Sequence, residues 1–370
     1  MQWKVSIKEC MSFKKNGISR KDTSMTRILP MAEPIIKCYP YHAHVCSIVG
    51  VQSEYHIPWI YNYYVQLSVI NNLERVFVDY VTPYIYTALP CVKMNKLERN
   101  IALDLTNGII NFIKYYIDRE FYIYAVFDVS QIAAYRCGQF FPHDPLIYGY
   151  DDEKEEVYFA DNYMYGRYSL GTASYSEIIQ ATKVLSEREE MIDIDWAPEF
   201  RCVKYTDKCS LFEFNIQMYI NLLNDYIEQK DSVKRWRVPG IISRAPLERI
   251  YGIGIYSFMQ DYIGVARNSG ANLDRRAFYV LKEHKLILEK SLTYVMGDQW
   301  KSKYSLEWKM VEKDMQMATI MCNLCLKYNL THDEKILDKI RNYLISLEEN
   351  DKIMFPCLIR MVEKKRILYK

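Results

Sequence analysis

The chain is short of the residues that build linkers: 13 glycines and 12 prolines among 370 residues. Long flexible or proline-rich connections between folded parts are therefore not expected. It also lacks a long apolar run, the ~18 residues or more that a membrane-spanning helix needs, so no transmembrane segment is expected. Charge of one sign is missing too. A net charge of +2 gives no global reason to expect nucleic acid. The N-terminal stretch MQWKVSIKECMSFKK has no apolar h-region, so no signal peptide is read. The 10 cysteines follow no framework spacing, which points to reduced thiols and a cytoplasmic location. There is no internal repeat and no low-complexity tract.

What is present is tyrosine, 33 residues of it, in a chain that is 50% hydrophobic and 25% charged. This is the composition of a folded protein, long enough for two domains or one large one. Tyrosine has an apolar body and a polar tip, which suits half-buried strands and aromatic clefts.

The stretch FPHDPLIYGYDDEKEEVYFAD, from Phe141 to Asp161, reads as one β-hairpin. Leu146, Ile147, Tyr148 and Tyr150 form one strand, Val157 to Ala160 the other, and the charged run from Asp151 to Glu155 the turn. Antiparallel pairing about that turn brings His143 and Asp161 to the same end. An imidazole held by a carboxylate is the orienting half of a nucleophilic triad, because the carboxylate fixes the tautomer and stabilises the imidazolium. His143 could equally be a surface histidine beside Asp144, and Asp161 a cap, with Asn162 as an alternative orienting group.

A nucleophile is then sought. Cys46 is expected near the start of a helix through Ser47, Ile48 and Val49, where the helix dipole favours the thiolate. Cys38 is the competing thiol, and burial as an inert core residue is the plain alternative for either. The run Cys38-x3-His42-x-His44-x-Cys46 has zinc-type ligands. Its spacing is unlike the common structural knuckles and no second pair follows, so no metal is expected. Cys322 and Cys325 lie in an apolar helical run and read as core. The glycines at 252–254 lack the strand–turn–helix setting of a dinucleotide loop.

Along the chain, residues 1–33 read as a basic, solvated extension. Residues 34–200 read as an α+β domain. It includes a helix with Trp59 and Tyr63 on its core face, one amphipathic helix over 101–119, a strand over 121–129, and a helix from 173 capped by Ser174 or Ser176. Residues 201–370 read as a mostly helical domain, with separate helices over 332–349 and 358–367, and the boundary falls within 196–208.

The layout NGIINFIKYYIDREFYIYAVFDV, HDPLIYGYDD, VYFAD, SYSEIIQA resembles the papain-like cysteine peptidase and acyltransferase superfamily. Its relevant branches are the bacteriocin-leader peptidases and the butirosin-type acyltransferases, together with the amide-forming proteins of polythioamide (closthioamide) assembly. The likeness covers roughly residues 35–185. It implies a papain-like fold and a cysteine-dependent acyltransferase acting in peptide-like natural-product biosynthesis through Cys46, His143 and Asp161. The implied partners are an acyl carrier protein bearing a phosphopantetheine thioester and an amine acceptor. No cofactor is called for, and a homodimer is allowed for. Pro40 stands where the peptidases carry the glutamine of the oxyanion hole, so Tyr41, His42 or His44 would assist the Cys46 backbone amide instead. A peptidase or amidase with the same triad, and a non-catalytic binding protein for a natural-product intermediate, are the two alternatives.

Overall fold

The computed structural model describes residues 26–51, 54, 56–164, 166–192, 194, 196–208, 212–236 and 248–368. Most of the basic extension, residues 1–25, lies outside them.

The main sheet is built from β1 (Thr26–Ile28), β2 (Val92–Glu98), β3 (Tyr122–Ala125), β4 (Leu146–Asp151), β5 (Glu156–Met164), β6 (Arg167–Ser174) and β7 (Glu199–Tyr205). The order is β6-β5-β4-β3-β7-β2, with β1 added on β4, and every pairing is antiparallel. Residues 26–28 of the expected 1–33 extension are thus part of the sheet, and Leu29, also within it, is buried. Gly149, opposite Ile28, permits this: a Cβ there would lie 2.8 Å from the Arg27 carbonyl oxygen.

β4 and β5 are the expected hairpin. Leu146 stands opposite Ala160 and Ile147 opposite Phe159, with a register shift between Ile147 and Gly149. All six β4 residues are buried, as their continuous apolar run implies.

The helices that matter are α1 (Pro40–Val49), α2 (Ile57–Tyr63), α3 (Ile109–Ile117), α4 (Tyr175–Glu187), α5 (Ile216–Ile227), α6 (Gly254–Ser269), α7 (Arg275–Met296), α8 (Ser305–Thr331) and α9 (Glu334–Leu368). Ser174 caps α4 in a capping box: its hydroxyl accepts from the Glu177 amide while its own amide donates to the Glu177 carboxylate. The single helix expected over 101–119 is two, Arg99–Thr106 and α3. Asn107 and Gly108 break it, at φ 56° and 107°, conformations these two residues tolerate best. In the opposite sense, the two helices expected after residue 332 are one. Pro356 sits inside α9, but Met354, Phe355 and Leu358 are all at 0% exposure. Burial of that stripe outweighs the proline's local cost.

The fold is α+β with a helical C-terminal region, and the two parts are joined tightly. The expected boundary at 200/201 falls inside β7, which sits between β3 and β2. Strand Arg249–Tyr251 from the helical region pairs with Leu67–Ile70, and one contiguous core runs from Leu29 to Val362. Deep in the helical region Lys285 lies 2.5 Å from Asp351 and 3.0 Å from Asp314. Tyr226 and Tyr256 donate to Asp351 at 2.9 and 2.7 Å. Burial opposes the charge on Lys285, but the two carboxylates raise its pKa above the ordinary value. No helix among the described residues is long and apolar enough to cross a membrane. Among the described residues, Cys38, Cys46, Cys137, Cys202, Cys322, Cys325 and Cys357 are free thiols.

Candidate functional site

Helix α1 begins at Pro40, a residue pre-set for the first helical turn. That start corrects the expectation for Cys46. Cys46 lies in the second turn, 1% exposed, where the dipole of the helix N-terminus no longer acts. Burial pushes its thiol up to about 12, opposed only in part by a backbone hydrogen bond from Ile36. It is a protonated core thiol at neutral pH, as burial makes Cys38 too, so position relative to the helix start, and not thiol acidity, separates the two. Cys38 is the cysteine at the helix entrance, immediately before the N-cap Tyr39.

His143 and Asp161 do meet. Pro142–His143 pairs with Phe127–Asp128, which holds the imidazole at the mouth of the hairpin. His143 Nδ1 lies 2.6 Å from Asp161 Oδ2. Asp161 is fully buried and doubly anchored, accepting from the Asn162 amide at 2.6 Å and from the Tyr135 hydroxyl. Burial alone would lower the His143 pKa, but the Asp161 charge and hydrogen bond carry it to about 9. Burial likewise disfavours ionised Asp161, yet His143 holds that carboxyl below its usual range. Asp144 joins them, its carboxylate 3.6 Å from His143 Nδ1 and accepting from the Tyr124 hydroxyl at 2.6 Å. Burial drives Asp144 up to about 6 against the pull of His143. The result is a carboxylate-held imidazole with one ring nitrogen committed and the side chain partly open to solvent.

A second cluster gathers at the entrance of α1. Ligating atoms of Cys38, His42 and Asp79 fall within 4.8 Å of one another. His42 Nε2 is 3.1 Å from Asp79 Oδ1, and Tyr64 donates to His42 Nδ1 at 2.7 Å. The Tyr41 hydroxyl donates to the other Asp79 oxygen. From the helical region, Glu283 on α7 reaches in and accepts from the Lys37 amide at 2.7 Å and the Cys38 amide at 2.9 Å. Burial raises the Cys38 thiol well above its usual value, and the Glu283 and Asp79 charges raise it further. Burial likewise lifts Glu283 to about 7. His42, Asp79 and Tyr41 line one wall of a cavity of about 200 Å³, with Tyr80, Tyr84 and Arg249 among the other walls.

The two clusters are tied together beside the thiol. Asn162, next to Asp161, donates from Nδ2 to the carbonyl of Lys37, next to Cys38, at 2.8 Å. The three side chains expected to assist an oxyanion are all committed elsewhere. Tyr41 and His42 serve Asp79. His44 is held between the Tyr168 hydroxyl at 3.0 Å and the Asp144 carbonyl at 2.9 Å. Burial lowers the His44 pKa to about 4, so it is a neutral ring that donates from Nε2 to that carbonyl and accepts at Nδ1. The C-x3-H-x-H-x-C run is split by helix geometry: His42 joins Cys38, whereas His44 turns toward Asp144.

The residues missed in the sequence are Asp79, Asp144, Tyr135 and Glu283. Asp79 leaves a trace, a lone carboxylate inside the strand-like run VFVDYV. Glu283 leaves none, because its partners lie 245 and 246 positions away. No protein-family model and no curated protein matches the chain.

Proposed function

We propose that the chain is a cysteine-dependent acyltransferase in which Cys38, in place of Cys46, is the nucleophile and the His143–Asp161 pair moves the proton. The observation that carries the reading is the 2.6 Å His143–Asp161 contact, joined to the Cys38 segment by Asn162. Cysteine at a helix entrance, then histidine and aspartate on adjacent strand ends, is the order of a papain-like fold, and we assign that fold as part of the proposal.

The reaction starts from the fraction of protein in which His143, whose pKa is about 9, is neutral: the Cys38 thiol turns from Glu283 and gives its proton to the free second nitrogen of the ring. The thiolate attacks the carbonyl carbon of an acyl thioester. The carbon–sulfur bond to the donor breaks, and the donor leaves as a thiol carrying the His143 proton. An amine then attacks the acyl-Cys38 carbonyl, its proton passes to His143, and Cys38 is released as the amide departs. The donor, a thioester on the phosphopantetheine arm of an acyl carrier protein, and the amine acceptor come from the family likeness. A cytoplasmic location goes with them.

The test uses benzoyl N-acetylcysteamine thioester as donor and benzylamine as acceptor. Intact-mass spectrometry should show a benzoyl adduct on Cys38 that benzylamine discharges as N-benzylbenzamide. Discharge by water alone would favour the amidase reading. The burial of Cys38, 5% exposed, favours one other account, a binding protein that keeps the site without chemistry; it predicts no adduct.

A further inference from the structure

We propose that Cys38, His42 and Asp79 form a zinc-type metal site that closes over the thiol. Its consequence, reversible silencing of the enzyme, rests on the acyltransfer reading; the site itself does not.

The donor set is a thiol, an imidazole and a carboxylate, the three ligand types zinc takes in three-residue sites that keep a fourth position open. Metal–ligand distances of roughly 2.0–2.3 Å put tetrahedral ligand atoms about 3.3–3.8 Å apart. The ligand atoms here lie within 4.8 Å of one another, and His42 Nε2 and Asp79 Oδ1 are at 3.1 Å. Small side-chain rotations therefore suffice.

The surroundings are those that orient ligands. A ligating histidine is usually held at its other nitrogen, and a ligating carboxylate at its other oxygen. Tyr64 holds His42 Nδ1, its hydroxyl turning from donor to acceptor when the ring proton moves to that nitrogen and frees Nε2 for the metal, and Tyr41 holds Asp79 Oδ2, while Glu283 fixes the Cys38 backbone. Three acidic groups, Cys38, Asp79 and Glu283, converge on a site whose histidine is 2% exposed. A divalent cation there would displace the Cys38 proton and pair the resulting thiolate and the Asp79 carboxylate. The adjoining cavity of about 200 Å³ gives the ion and a water a way in. Binding releases the Cys38 proton to solvent and oxidises nothing.

The other cluster able to hold an ion, His143, Asp144 and Asp161, has no sulfur, and this separates the two in one spectrum. Chelator-stripped full-length protein is titrated with cobalt(II). The expected result is thiolate-to-cobalt charge transfer in the near ultraviolet with tetrahedral d–d bands in the visible. Both should vanish in Cys38→Ser and Asp79→Asn and persist in His143→Gln. A spectrum without charge transfer, or one that survives Cys38→Ser, overturns the site. Should a variant fail to fold, wild type alone decides: zinc must slow iodoacetamide labelling of Cys38 at least tenfold, and unchanged labelling overturns the proposal. Labelling of metal-free Cys38 that ignores His143 would remove the acyltransfer reading and leave the metal site standing. His143-dependent labelling with no cobalt spectrum would do the reverse.

Discussion

Glu283 is the most exacting residue in the account, because one side chain from the helical region completes the entrance to α1. It accepts two backbone N–H groups, Lys37 at 2.7 Å and Cys38 at 2.9 Å, where no helix or sheet partner serves them. Glu283→Ala leaves both donors without an acceptor. A buried donor left unsatisfied costs about 1–3 kcal/mol, so the pair should cost about 2–6 kcal/mol. Glu283→Gln is nearly the same shape and keeps one acceptor oxygen, but turns an NH2 toward the second amide. It should cost about 1–3 kcal/mol. Urea unfolding of wild type and both variants at neutral pH measures the two values. The Glu283 charge also holds the Cys38 pKa up, so iodoacetamide should label Cys38 faster in both folded variants. A loss below about 1 kcal/mol for alanine, or equal losses for the two variants, would refute the clamp.

Three further outcomes follow from the same structure. The His143 pKa rises on folding from near 6.5 to about 9, so its contribution is complete below pH 6.5 and disappears as pH climbs through 9. That shift is worth about 3 kcal/mol; urea midpoints measured from pH 6 to 10 should fall in wild type and stay flatter in His143→Gln. Lys285→Met strips the cation from two buried carboxylates and should cost about 3–5 kcal/mol by the same assay; no loss would mean the network is not ionised. Gly149→Ala places a Cβ against the Arg27 carbonyl oxygen and should raise amide exchange in Thr26–Ile28 while β5 stays protected; unchanged exchange would show that β1 does not need the close approach.

How much of this was legible depends on the range of the forces involved. The hairpin, its turn and the meeting of His143 with Asp161 followed from alternation and antiparallel pairing over a short stretch. So did the Ser174 cap, which needs only Glu177 three residues on. The start of α1 did not, because Tyr39 makes no side-chain cap and only Pro40 marks the turn. That miss moved the helix start toward Cys46 and away from Cys38. The broken 101–119 helix was readable in hindsight from Asn107-Gly108, where periodicity outweighed the turn signal. Glu283 and Asp79 could not be placed at all, since their roles depend on which distant elements pack on α1. The boundary near 200 followed a real change in composition, but β7 and strand Arg249–Tyr251 carry pairing across it.

The central claim is that His143 activates Cys38 and not Cys46. The direct measurement is iodoacetamide labelling of metal-free protein from pH 7 to pH 10, across the His143 pKa of about 9, each cysteine mapped by mass spectrometry, in wild type and His143→Gln. The account predicts that Cys38 labels faster than the other buried thiols, that the histidine variant loses this, and that Cys46 stays unlabelled in both. Cys38 labelling no faster than Cys46, or at the same rate in the two proteins, would contradict it.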